Sequence, residues 1–225
     1  MALRAAVFDF DGVIVDSEPL HYRSLHDALL EDGVAITRDE YWGIYLAYDD
    51  RGAIRRALEH HGEPAPPERV SAITARKVVR FADLIPEIPV FAGAPELVRA
   101  LAAELPVAIA SGARREEIEQ ILSGLGLRDA FSAIVGAEDA PGTKPDPAPY
   151  REAARLLAPA AGGLSCAECV AFEDSVPGIV SALGAGMRVV GVTNSYPAGK
   201  LAAAQRVVAS LADVAPDDLR ALFHD

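Results

Sequence analysis

Arg4–Phe10 is a short apolar run that ends in acid, a pattern that suits a buried strand. Similar short apolar runs recur at Pro106–Ala110, Phe131–Val135, Cys169–Phe172 and Arg188–Val192. Helix-period stripes lie between them: Leu97, Val98, Leu101 and Leu105; Ile118, Ile121, Leu122 and Leu125; and the shorter Ile179, Val180 and Leu183. Strands alternating with helices predict an α/β fold, a parallel sheet covered on both faces.

The first crossover is too long for that pattern. About eighty residues separate the first strand from the helix before the second. They carry helical stripes of their own: Tyr22, Leu25 and Leu29; Ile54, Ala57, Leu58 and His61; and Val70, Thr74, Val78, Phe81 and Ile85. The proline-rich Gly62–Pro67 segment links the last two, and Pro86, Pro89 and Gly93 punctuate the return. The expected organisation is a core of residues 1–15 and 88–225 with an all-helical insertion at 16–87.

Composition narrows the partners. The 225 residues hold 33 acids and 21 bases, a net charge of −12. DNA or RNA binding normally needs a basic patch, and no Lys/Arg cluster here exceeds two neighbours, so no nucleic-acid partner is expected. No apolar run approaches the roughly 20 residues that span a bilayer, and the N-terminal run is broken at once by Asp9 and Asp11, so neither a membrane partner nor a signal peptide is expected. Two cysteines make no disulfide framework, which suits a reduced, cytoplasmic compartment. The bases are 18 arginines and only three lysines, Lys77, Lys144 and Lys200.

Four short segments carry candidate chemistry. In Phe8-Asp9-Phe10-Asp11-Gly12-Val13, two carboxylates two apart project to one side of an extended backbone, and Gly12 allows a sharp turn. They suit a divalent cation, or a nucleophile with an acid/base; a solvated strand end is the alternative. In Ile109-Ala110-Ser111-Gly112-Ala113, a hydroxyl and backbone N–H groups would open a helix, as an anion site or as an ordinary serine N-cap. Gly142-Thr143-Lys144-Pro145-Asp146-Pro147 is a proline-stiffened loop presenting a lysine, either solvated or set against carboxylates and a phosphate. Phe172-Glu173-Asp174-Ser175-Val176-Pro177-Gly178 puts two acids at another strand end, with Ser175 placed to cap the next helix; the acids either act chemically or answer the helix dipole. All four fall at carboxyl ends of strands in one parallel sheet, so they should face one crevice, and together they suit a hard cation beside a phosphate.

These segments, in this order, resemble the four motifs of the haloacid dehalogenase (HAD) superfamily of phosphohydrolases, and the helical insertion after the first resembles its first cap subclass. In style the chain is similar to the phosphoglycolate phosphatase and beta-phosphoglucomutase branches. The resemblance covers essentially the whole chain. It implies a Rossmann-like parallel-sheet core with an inserted α-helical cap, and a Mg2+-dependent phosphatase of small phosphate monoesters that works through an aspartyl-phosphate. By the same resemblance Asp9 is the nucleophile and Asp11 the general acid/base. Mg2+ is held by the Asp9 side chain, the Asp11 carbonyl and Asp174, with Glu173 acting through a metal-bound water. Ser111, the Gly112 N–H and Lys144 hold the phosphoryl oxygens.

The second aspartate favours phosphoryl transfer over dehalogenation, because the dehalogenases of the superfamily typically lack it. Lys77, the only lysine of the insertion, fits a solvated helix position, which disfavours a Schiff-base hydrolase. A beta-phosphoglucomutase-type mutase is the alternative, supported by Asp16-Ser17-Glu18 and His21. However, the stretch matching the mutase specificity loop is Ala47-Tyr48-Asp49-Asp50 followed by Arg51, acidic where arginine is expected. A non-catalytic phosphate-binding module is more remote, since none of the motif residues is missing. His21, Arg51 and Arg55 are candidate substrate contacts, with a satisfied histidine and a solvated helix face as alternatives. Tyr41, Trp42, Tyr45 and Tyr48 either line the cap face or form its core. Cys166 and Cys169 read as structural. The expected ligand is a small phosphorylated metabolite, and the expected assembly a monomer or small homo-oligomer.

Overall fold

The computed structural model describes residues 1–46 and 48–223; Ala47, in the segment matched to the mutase loop, lies outside them. The chain divides into two compact units: Met1–Asp16 with Pro89–Asp225, and Ser17–Ile88.

The first unit is built on six parallel strands: β1 (Ala5–Phe8), β2 (Val107–Ala110), β3 (Ala133–Val135), β4 (Cys169–Glu173), β5 (Arg188–Val192) and β6 (Arg206–Val208). Their order is β3-β2-β1-β4-β5-β6, a doubly wound sheet. Residues of β1 to β4 are all buried, as continuous apolar runs in a two-sided sheet require. β6 was not expected; three residues at an edge, two of them half-buried, carry almost no periodic signal. Four helices of this unit are α5 (Ala94–Ala102), α6 (Arg115–Gly124), α7 (Ala148–Leu157) and α8 (Val176–Ala185). α7 packs on β1, β2 and β3, and α8 on β4 and β5. Register places Phe8 opposite both Ile109 and Phe172, and the Phe8 and Phe172 rings stack at 4.3 Å. The strand ends are therefore level, and the acids that follow β1 and end β4 come out side by side.

The second unit is helical: α1 (Glu18–Leu30), α2 (Arg38–Glu40), α3 (Asp50–His60) and α4 (Pro67–Leu84). Tyr41–Tyr45 form a widened turn in which the Leu46 N–H reaches the Tyr41 carbonyl at 2.9 Å. That turn buries Tyr41 and Tyr45 with Leu29, Ile54, Leu58 and Ile73, while Trp42 and Tyr48 stay exposed. Each fully buried large side chain contributes about 1.5–3 kcal/mol.

Three sequence expectations need correction. Lys77 is buried and Val78 exposed, the reverse of the apolar stripe drawn through α4. At about 100° per residue, position 77 lies about 20° from Val70 and position 78 about 80°, so geometry turns Lys77 inward despite its charge. Val180 is exposed, and α8 packs through Ile179 and Ala182 with Leu183 against them. Ser111 does not cap the following helix; α6 starts four residues later, with Arg114 at its N-cap. Among the described residues, no helix is long and apolar enough to cross a membrane.

Candidate active site

The segment after β1 folds back on itself. Ile14 N donates to the Phe10 carbonyl and Gly12 N to the Val15 carbonyl, at 2.8 and 2.9 Å. Gly12 sits at φ +78°, and a Cβ there would stand 1.9 Å from Asp174 Oδ2, so only glycine lets the turn pass this close to the second acid pair. Asp9 is buried, and Asp11 is half-buried two residues further along.

Asp9, Glu173 and Asp174 bring one carboxylate oxygen each to within 4.8 Å of one another. Lys144 arrives from the loop before α7. Its Nζ lies 2.8 Å from Asp9 Oδ1 and 2.6 Å from Glu173 Oε1. Glu173 is further tied down by the Tyr150 hydroxyl at 2.6 Å on Oε1 and the Ser175 hydroxyl at 3.0 Å on Oε2. Ser175 in turn accepts from Gly178 N at 3.1 Å and so caps α8. The Asp9 Oδ1 atom also accepts from Phe10 N at 2.7 Å.

Three carboxylates thus meet one ammonium in a water-poor site. Burial, then the Glu173 charge, holds the Asp9 carboxyl well above the usual carboxylate range, with Lys144 opposing. Burial likewise raises Asp174, against the pull of the Ser195 hydrogen bond. For Lys144 burial disfavours the charged form, but Asp9 and Glu173 outweigh it and its pKa lies above the ordinary lysine value. Burial and the same carboxylates keep Tyr150 a neutral phenol that donates to Glu173. The donors are all oxygen, crowded and in net negative excess, which fits a hard divalent cation.

Beside this cluster is a cavity of about 130 Å³ lined by Ser111, Gly112, Gly136, Thr143 and Lys144 among others. The Ser111 hydroxyl oxygen accepts from Ala113 N at 3.0 Å, which leaves its hydrogen to donate elsewhere. Space above Gly112 is open, with nothing within 4 Å of a Cβ placed there. A larger apolar cavity, about 640 Å³, runs between α5 and residues 211–216 and contains none of these groups.

Besides Tyr150, two residues of the site were missed in the sequence. Asn194 Nδ2 donates to the Gly12 carbonyl at 2.7 Å, and the Ser195 hydroxyl donates to Asp174. Both follow the carboxyl end of β5, so the strand-end rule that found the other segments also points to them.

The candidate substrate contacts belong to the helical unit. His21 stacks on Phe81 at 4.4 Å, with Nδ1 2.9 Å from Lys77 Nζ. Arg51 is exposed and donates to Ser71 at 2.8 Å; Arg55 is exposed on the same helix, α3. Asp49 caps α3 through Gly52 N at 2.8 Å, and Asp50 pairs with Lys77 at 2.8 Å. Cys166 and Cys169 are free thiols; burial raises both, Cys169 to about 12, which suits a structural role and not a reactive one.

Comparison with known proteins agrees with this chemistry. The family model described as haloacid dehalogenase-like hydrolase matches residues 3–186. Hexitol phosphatase B of Escherichia coli K12 is 34% identical over 190 residues, which cover 83% of this chain and 82% of that protein. Phosphoglycolate phosphatase of Yersinia pestis is 27% identical over 226 residues, 96% of this chain and 93% of the relative. The crystal structure of a CbbY variant from Rhodobacter sphaeroides in complex with xylulose-(1,5)bisphosphate superposes with a TM-score of 0.76 at 27% identity, covering 94% of this chain and 96% of that one.

Proposed function

The chain belongs to the haloacid dehalogenase-like hydrolases, and on that premise we propose that it is a Mg2+-dependent phosphatase acting on a small phosphate monoester, a sugar or polyol phosphate or a phosphoglycolate-like acid. The observation that carries this reading is the Asp9–Lys144–Glu173–Asp174 cluster beside a phosphate-sized cavity at the carboxyl ends of β1 and β4.

Asp9 is the nucleophile. Its Oδ1 is held by Lys144 and Phe10 N, which turns Oδ2 to the phosphorus. The Oδ2–P bond forms as the ester P–O bond breaks, giving an aspartyl-phosphate. Asp11 gives its proton to the leaving oxygen, then takes one from the water that hydrolyses the intermediate. Lys144, the Ser111 hydroxyl and the Gly112 N–H hold the phosphoryl oxygens. Glu173, bonded to Lys144, Tyr150 and Ser175, keeps the ammonium in place. Asp9, Asp174 and the Asp11 carbonyl would hold Mg2+, with Glu173 reached through water; when bound, the ion offsets repulsion between the Asp9 carboxylate and a dianionic ester.

Substrate choice is assigned to the helical unit, with His21, Arg51 and Arg55 as candidate contacts. Hydrolysis is favoured over a mutase reaction because the acids before Arg51 have structural work, Asp49 as a helix cap and Asp50 as the partner of Lys77. A screen of hexitol phosphates, sugar phosphates and phosphoglycolate, with and without Mg2+, tests the reading. Mg2+-dependent release of free phosphate from one class is expected. An isomerised sugar phosphate formed only with a bisphosphate activator contradicts it.

A further inference from the structure

The helical unit carries a second group of metal-ligating side chains, which phosphate-ester hydrolysis does not use. Glu40 ends α2, His60 ends α3 and His61 follows it. Glu40 Oε1 lies 3.3 Å from His61 Nε2 and 3.8 Å from His60 Nδ1. One donor atom from each of the three stands within 4.8 Å of the other two.

For bonds of about 2.0–2.1 Å at tetrahedral angles, ligand atoms stand about 3.3–3.4 Å apart. The Glu40–His61 separation already has this value, and imidazole rotation about a soft χ2 brings in the other. The carboxylate is prepared for the role. Thr37 N and Oγ both donate to Oε2, at 2.6 and 2.8 Å, which fixes the group and leaves Oε1 facing the two rings. Tyr45 Oη lies 2.8 Å from His60 Nδ1, a contact an incoming ion replaces. The side chains of Glu40, His60 and His61 are 23, 44 and 30% exposed, so an ion can enter and water can fill the fourth position.

The donor chemistry separates this group from the active site. Two imidazoles and one carboxylate select a zinc-class ion, whereas the all-oxygen Asp9–Glu173–Asp174 set suits Mg2+. We propose that Glu40, His60 and His61 form a binding site for a zinc-class divalent cation on the helical unit, separate from the catalytic cluster. The ion ties the end of α2 to the end of α3. Because it binds the folded form, it stabilises that unit by mass action.

The test is a calorimetric zinc titration of the full chain in saturating Mg2+, with wild type, His60→Gln, His61→Gln and Asp174→Asn. Wild type and Asp174→Asn are expected to take up one Zn2+ alike, with a rise in melting temperature that a chelator reverses. His60→Gln and His61→Gln are expected to bind more than about tenfold more weakly and to lose the rise. Both histidines are exposed, and the zinc-free melting temperatures of the variants verify that they fold. Equal zinc affinity in wild type and His61→Gln overturns the proposal, as does uptake lost in Asp174→Asn but kept in His61→Gln.

Discussion

Two of the three lysines are withdrawn from solvent, and the places that hold them differ in charge balance. Lys77, in the helical unit, lies 2.8 Å from Asp50, whose side chain is 40% exposed, and over the Phe81 ring at 4.9 Å. Lys144, in the α/β unit, faces Asp9 and Glu173 with Asp174 close by. The first arrangement pairs one ammonium with one carboxylate that water still reaches. The second packs three buried carboxylates around one ammonium. Burying charge without full compensation costs stability, so such an excess persists where something else is meant to bind. The imbalance, more than the burial, marks the reactive region.

The largest effect that tests this comparison is on chemistry. Asp9→Asn removes the nucleophile and is expected to lower turnover by on the order of 10⁴-fold or more. Its melting temperature should stay near that of wild type, since a neutral isostere relieves crowding among the acids. Near-normal turnover contradicts the nucleophile assignment.

Next come the two lysines themselves. Lys144→Met is expected to reduce kcat/KM by on the order of 10³-fold. It leaves three carboxylates uncompensated, so the metal-free chain should lose about 3 kcal/mol at pH 8. Asp9 and Asp174 have raised folded-state pKa values, so proton uptake favours the folded form as pH falls. The deficit should therefore shrink toward pH 5, and denaturant unfolding at the two pH values measures it. Lys77→Met leaves a half-exposed Asp50 and the His21 ring behind and is expected to cost about 1 kcal/mol. Equal stability losses in the two variants would break the comparison.

The smallest effect lies in the helical unit. Burial works against the Asp32 carboxylate, but hydrogen bonds from Arg69 and Arg76 outweigh it and hold its pKa below the usual range. A depressed folded-state pKa gives stability that is present above the unfolded value and lost as pH falls through the folded one. Asp32→Asn should lower the melting temperature by about 2–4 °C at pH 7, and the difference should vanish once the pH falls below the folded-state pKa. A constant difference across pH means that the arginines act by packing alone.

Much of the α/β unit was legible because buried parallel strands leave continuous apolar runs. The end of each run located Asp9, Ser111 and Glu173 with Asp174. What stayed hidden depended on packing. Lys77 turned inward because helix phase outweighed the hydrophobicity of Val78. Tyr150 is buried in α7, and nothing in the helix pattern signals that its hydroxyl organises Glu173. Asn194 and Ser195 were not singled out in the sequence, although the strand-end rule that found Asp9 covers them too.

The central claim is that the phosphoryl group passes through Asp9, and trapping the intermediate tests it most directly. Enzyme mixed with Mg2+ and the best substrate of the screen, quenched within one turnover and reduced with borohydride, converts an aspartyl-phosphate into homoserine. Peptide sequencing is expected to find homoserine at position 9 in wild type and none in Asp9→Asn. Homoserine at another aspartate, or none in wild type during active turnover, would contradict the account.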